Sequence, residues 1–217
     1  MTLKFLDLNP QKQKPILDAA MKEFAQKGYK NASTNEIVKA AGISKGLLFH
    51  YFNAKKDLFM YLYNYTSEIF TKEFFETIDL SEKDLFKRIR QMAWLKIELI
   101  NKHPELYNFL YAAILEDAPE VKNDLEANNK HLLANNYAKL FKDIDVTNFK
   151  EDFEVNKVIN IVIWTIEGFS AQTLAKIKSQ QLNDVSYEEI SQELDVYLKF
   201  LEMAFCKDDG TDSLLKQ

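Results

Sequence analysis

Between Ser33 and Leu58 the chain reads STNEIVKAAGISKGLLFHYFNAKKDL, and here residue types and spacing suit recognition of a polyanion rather than bond-breaking. A short helix begins after Ser33 and ends at Gly42, Ile43 closes the corner, and a second short helix runs from Ser44 to about Tyr51. Two short helices joined by a glycine-containing turn make a helix-turn-helix, in which the first element braces the second and the second enters the DNA major groove. On the second helix Leu48 and Phe52 share a face that anchors it, while Gly46 and His50 fall opposite, flanked by Leu47 and Phe49. Glycine inside a helix costs about 1 kcal/mol relative to alanine. Close approach of a phosphate or base edge to the backbone gives Gly46 a reason to be there; nucleation of the turn is the plainer alternative.

Charge points the same way. The 217-residue chain carries a formal net charge of −5, but residues 1–60 hold ten lysines against five acids, leaving 18 basic and 28 acidic residues in the remainder. A basic head on an acidic body suits a polyanionic partner. Other chemistries lack their residues. The histidines are His50, His103 and His131, none in a Glu-x-x-His pair, and the single Cys206 allows neither an intrachain disulfide nor a multi-cysteine zinc site. No Walker loop, G-x-G-x-x-G or G-x-S-x-G occurs. The expectation is a protein that is not an enzyme and uses no cofactor or metal. The N-terminal stretch has no apolar signal core, and no apolar run is long enough to span a membrane, so a cytoplasmic location without membrane contact is expected.

Five Gly and four Pro leave little material for tight turns, and apolar residues recur at helical spacing throughout, which makes the fold class all-α with about nine helices. A first helix starts near Pro10–Lys14 with Leu17, Ala20, Met21 and Phe24 on one face, and Gly28 ends it as a left-handed terminator. Ser33 with Glu36, Ser81 with Asp84 and Ser186 with Glu189 have the spacing of helix-capping pairs. A long helix follows from Lys55 to about Thr77, then helices reaching Lys102, Glu116 and Phe141, then two last ones over about 153–178 and 186–206. Domain boundaries are expected at 1–55 for a helix-turn-helix DNA-binding head, 56–207 for an effector-binding and dimerisation domain and 208–217 for a polar tail.

The segment KGYKNASTNEIVKAAGISKGLLFHYFNAKKDLF closely resembles the DNA-binding domain of TetR-family transcriptional regulators: Gly28-Tyr29, Ser33-Thr34, Ile37, Ala41 to Gly46, the aromatic run Phe49 to Phe52 and Lys55 to Leu58 all fit. The resemblance covers about Gln13 to Leu58. It implies that Thr34 and Asn35 bond phosphate at the start of the brace helix, and that Ser44, Lys45, Gly46 and Leu47 reach bases and nearby phosphates, Lys45 bonding guanine and Leu47 packing on a thymine methyl. It implies further that His50 and Tyr51 grip flanking phosphates and that Lys55 adds a backbone contact. Phe49 stands where many members have Tyr; it cannot donate to phosphate and is a weaker contact.

Beyond the head, Ile190, Leu194, Tyr197 and Leu201 follow a 4-3-4 rhythm close to a heptad seam, and Ile159, Ile163 and Ile166 line the preceding helix. This suits a homodimer interface or ordinary intrachain packing; in the family these helices pair between subunits, and a two-fold dimer reads a palindromic operator on double-stranded DNA. The resemblance also implies an apolar pocket for a small hydrophobic or aromatic effector, with Trp94, Tyr107, Tyr111, Trp164 and Glu167 the candidates that combine bulk with a polar handle. The function implied is an effector-released repressor; the alternative is a regulator or activator that needs no ligand.

Overall fold

A computed structural model describes residues 3–178 and 186–207. Ten α-helices occur among them: α1 (Leu3–Leu6), α2 (Pro10–Asn31), α3 (Thr34–Ala41), α4 (Lys45–Tyr51), α5 (Lys55–Thr77), α6 (Leu85–Lys102), α7 (Pro104–Ile114), α8 (Pro119–Leu140), α9 (Val155–Lys178) and α10 (Tyr187–Phe205). The expected polar tail at 208–217 lies outside the described residues. The only β pairing among the described residues is an isolated bridge between Phe149 and Cys206. No helix among them is long and apolar enough to cross a membrane.

The chain forms two compact units whose boundary is not the linear one at residue 55. One takes the chain as far as Thr77 together with Glu98–Tyr137; the other takes Ile78–Ile97 and the chain from Ala138. The first unit therefore holds the helix-turn-helix, all of α7 and most of α8 around a single core. That core draws Ile16, Leu17, Ala20, Met21 and Phe24 from α2, Ile37 from α3, Leu48 from α4, Leu58, Phe59 and Leu62 from α5, Phe109 from α7 and Val121 from α8. Phe24, Phe59 and Phe109 meet one another with ring centroids 5.0, 5.5 and 6.2 Å apart. Burying a side chain of this size stabilises by about 1.5–3 kcal/mol.

Sequence periodicity missed α1, because four residues carry no helical period. Its Phe5 is fully buried and ringed by Tyr51, Phe52 and Tyr61 at centroid distances of 5.6, 4.9 and 5.5 Å. Gln13 Nε2 fixes the segment by donating to the carbonyls of Phe5 and Leu8 at 3.0 and 2.8 Å. The chain then enters α2 through Asn9, whose Oδ1 accepts from the Gln11 amide at 2.9 Å, with Pro10 at the first turn where its missing N–H costs nothing.

Two expected caps differ. Asp84, not Ser81, accepts from a first-turn amide of α6, that of Lys87 at 2.8 Å, while Ser81 turns back to Asp79. At α3 the hydroxyl of Ser33 makes no cap; its amide donates to Glu23 Oε1 at 2.9 Å. At α10 Ser186 Oγ accepts from the Glu189 amide at 3.2 Å.

The second unit is built on Leu85, Phe86 and Ile89 of α6, Phe149 of the connection before α9, Val158 and Val162 of α9, and Leu194 and Leu198 of α10. Arg90 binds Asp195 at 2.6 Å and Glu202 at 2.8 Å, joining α6 to α10. At its centre Arg88 is fully buried and donates to backbone carbonyls of Leu80, Glu82, Leu140 and Lys142, stapling the loop before α6 to the chain leaving α8. Backbone carbonyls buried without a donor cost about 1–3 kcal/mol each. Arg88→Met is expected to lower unfolding free energy by roughly 3 kcal/mol or more on that basis, read from urea unfolding followed by circular dichroism.

Candidate nucleic-acid interface

The corner of the helix-turn-helix follows from its glycine. Gly42 adopts φ 68° and ψ 30°, the left-handed conformation in which a side chain is strained, and returns its amide to Val38 and Lys39 carbonyls. The next amide, that of Ile43, donates to the Val38 carbonyl at 3.0 Å, so α3 is closed before α4 begins. Ser44 then caps α4, its Oγ accepting from the Leu47 amide at 3.2 Å.

The two faces of α4 divide as the sequence requires. Leu48 and Phe52 are each 1% exposed and belong to the core, whereas Ser44, Lys45, Gly46, Leu47 and His50 are exposed and Phe49 and Tyr51 half-buried. A Cβ built on Gly46 would meet no atom within 4 Å, so intrachain packing does not demand glycine there. Tyr51 turns its ring edge to Phe5 and to His50, which keeps it against the core rim. On α3 Asn35 is exposed and Thr34 half-buried at the helix start. Asn35 on α3 and Ser44, Lys45, Gly46, Leu47 and His50 at and on α4 are thus open to solvent, with Thr34 and Phe49 half-buried beside them.

Lys55 departs from expectation. Its Nζ donates to the carbonyls of Tyr29, Lys30 and Ala32 at 2.8, 3.2 and 3.2 Å and sits 4.7 Å from the Tyr29 ring centroid. An ammonium group has three donors, and all three are spent on the end of α2. Lys55 is thus a structural clamp rather than a free phosphate contact, and charge-assisted bonds of this kind favour it there.

Gly28 also departs in detail. Its φ is positive at 68° but its ψ is 173°, a kink that sends the chain through Tyr29 toward α3 rather than a left-handed cap. Tyr29 packs between Phe24 and Phe59, and burial, then the charge of Glu120, push its phenol above the usual range. Glu23, one turn earlier, is a functional support that sequence reasoning missed, since a lone acid on an apolar face gives no signal. Desolvation would raise its carboxyl, but the Ser33 amide and Lys27 outweigh that and hold it below the ordinary glutamate range. At the start of α5, the Asp124 carboxylate 2.6 Å away raises the Lys56 ammonium above its ordinary range.

The remaining candidates fall in both units. Tyr107 and Tyr111 are buried in the first and stack with centroids 5.9 Å apart, Tyr107 also meeting Phe70 at 5.9 Å. In the second, Trp94 is exposed on α6, and Trp164 and Glu167 are exposed on α9. The expected dimer seam faces largely inward: Leu194 is buried in the unit's own core, Ile159, Ile166 and Leu201 pack against it, and Ile163 and Ile190 are half-buried. Of the expected seam, Tyr197 on α10 is exposed; the other outward apolar residues are Ile161 and Trp164 on α9 and Val196, Phe200 and Met203 on α10, with Trp164 65% and Phe200 64% exposed. Periodicity alone finds both stripes of such helices and does not say which faces in.

α3, the Gly42 turn and α4, with the outward face of α4 left open, together make a helix-turn-helix. Residues 16–62 match the family model described as bacterial regulatory proteins, tetR family. That likeness is confined to the segment that carries α2, α3, α4 and the start of α5. It is 46% identical over 55 residues to the HTH-type transcriptional regulator YuxN of Bacillus subtilis, covering 25% of this chain and 19% of that protein. It is 46% identical over 44 residues to the HTH-type transcriptional regulator AcrR of Shigella flexneri, covering 20% of each. The chain thus matches only about a fifth of the length of these curated relatives.

The fold as a whole is similar to solved structures. A TetR family transcriptional regulator from Chloroflexus aurantiacus superposes with a TM-score of 0.60 at 22% identity, over 94% of this chain and 97% of that one. SmeT, the repressor of the Stenotrophomonas maltophilia multidrug efflux pump SmeDEF, gives 0.63 at 14% identity, over 90% and 91%.

The clamp assignment is testable. Lys55→Ala is expected to cost about 1–2 kcal/mol of stability, the size of a partly exposed charged hydrogen-bond set. The slope of log affinity against log salt for DNA should stay unchanged, whereas loss of a true phosphate contact would reduce it by about one.

Proposed function

We propose that the protein is a sequence-specific, homodimeric transcriptional regulator that binds a palindromic operator in double-stranded DNA and acts as a repressor released by a small hydrophobic or aromatic effector. The observation that carries this reading is the first turn of α4, where Ser44, Lys45, Gly46 and Leu47 stand exposed on a basic head while Leu48 and Phe52 anchor the same helix from behind. Lys45 is assigned to guanine O6/N7 and Leu47 to a thymine methyl. Thr34, Asn35, His50 and Tyr51 are assigned to phosphates, which fix register without reading sequence. Phe49 packs on sugar or methyl groups.

Supporting a dimer, α9 and α10 each carry large apolar side chains outward, and Gly168 on α9 has open space where its Cβ would be. Exposed aromatic residues of this size are typical anchors of an interface core. A single head reads few base pairs, and a second copy across a two-fold axis doubles the site. In this reading Trp164 serves the dimer, and Tyr107 and Tyr111, buried together in the first unit, remain the effector candidates. An effector that favours a different arrangement of the middle helices would move α5 and change the separation of the two heads. It relieves repression only through different affinity for the two states.

Two substitutions test the parts separately. Lys45→Ala is expected to cost about 1–3 kcal/mol of discrimination at one base pair of a duplex selected from random DNA, and to relax the preference there; an equal loss on every sequence would remove Lys45 as a base reader. Phe200→Asp is expected to weaken self-association about thirtyfold or more, the effect of removing an interface anchor worth about 2 kcal/mol, as read by sedimentation equilibrium.

A further inference from the structure

The turn that hands α2 to the brace helix α3 is gripped from two sides. Gly28, with φ 68° and ψ 173°, occupies a backbone region open in practice to glycine alone. The next amide, Tyr29 N–H, donates to Glu116 Oε2 at 2.6 Å, across 87 positions of sequence. The other oxygen of that carboxylate, Oε1, accepts from the amides of Asp117 and Ala118 at 3.2 and 3.0 Å. Glu116 lies in the corner between α7 and α8, so one carboxylate joins that corner to the turn below the helix-turn-helix. A Cβ on Gly28 would stand 3.1 Å from Glu116 Oε2, so the glycine also leaves room for this approach. On its carbonyl side the same turn is held by Lys55, and next to Lys55 the Lys56–Asp124 pair ties the start of α5 to α8.

We propose that Glu116 is a positioning residue for DNA reading: it sets the orientation of the helix-turn-helix by fixing the α2–α3 turn to the α7–α8 corner. This rests on the reading above, in which two heads address spaced half-sites. Apolar packing between α2 and α7 holds the helices together but is non-directional. A carboxylate bonded to backbone amides is short and directional. The grip falls on Tyr29, the turn leads directly into α3, and α3 is coupled to α4 through the core residues Ile37 and Leu48. A displacement of the corner is therefore passed to the recognition helix. Successive bases along a strand are about 3.4 Å apart, so a small rotation of each head about its turn is enough to change which half-site spacing fits.

The test uses the full chain and a duplex selected by the wild-type protein from random DNA, then resynthesised with the spacer between half-sites lengthened or shortened by one and two base pairs. The variants are Glu116→Gln, which keeps the shape but turns an NH2 group toward one set of amides, and Glu116→Ala, which removes the carboxylate without straining the Gly28 backbone. The expected result is that both variants bind a single half-site as the wild type does and lose about tenfold of its discrimination between spacers, the usual scale of coupling between sites. A folded Glu116→Gln protein with the wild-type spacer profile overturns the proposal. A wild-type protein with no spacer optimum instead removes the two-head reading, and the positioning role with it. Loss of fold in both variants, seen by thermal melting, assigns the contact to stability alone and likewise overturns the proposal.

Discussion

The unit that carries the helix-turn-helix depends on the aromatic contact among Phe24, Phe59 and Phe109. These rings come from α2, α5 and α7, and their packing makes the helix-turn-helix, α5 and α7 a single body rather than a bead on a linker. A three-helix head of this size buries little surface on its own. By sharing its core with α7 and α8 it gains the apolar burial it lacks, and its orientation becomes a property of the larger unit.

Around that core the polar groups are spent on the backbone as much as on one another. Lys55 serves three carbonyls at the end of α2, Glu23 serves the Ser33 amide, Glu116 serves Tyr29 and its own corner, and Arg88 serves the carbonyls of two loops. Each is a long charged side chain satisfying main-chain groups where a helix ends, the places where an all-helical protein leaves donors and acceptors unpaired. The recognition helix is the exception. Lys45, Leu47 and His50 point away from the core, and among the described residues Lys45 has no ion pair with any acid.

The all-helical class, nearly every helix boundary and the division of α4 into anchored and open faces were legible in the sequence, because each rests on local periodicity or a glycine at a fixed place. The details that were not legible are long-range. Ser33 and Glu36 have capping-box spacing, yet the acid that serves Ser33 is Glu23, ten residues back and brought there by the kink at Gly28. Lys55 matches a family position for DNA contact, but its partners are the carbonyls of a turn 23 to 26 residues earlier. Phe5 lies in a segment too short to show a period. On α10 both the Leu194–Leu201 stripe and the Val196–Met203 stripe are apolar, and only the position of α9 decides which one is buried.

The separation of faces on α4 bears on how such proteins diversify. Because Leu48 and Phe52 bear the packing and Gly46 borders empty space, exchanges at positions 45, 46, 47 and 50 leave the interior undisturbed. Surface changes on this helix can therefore accumulate without an intervening loss of the packed core. The inner face, held by Phe5, is far less free to drift, so related chains are expected to differ most on the outward side of α4 and least one helical turn away.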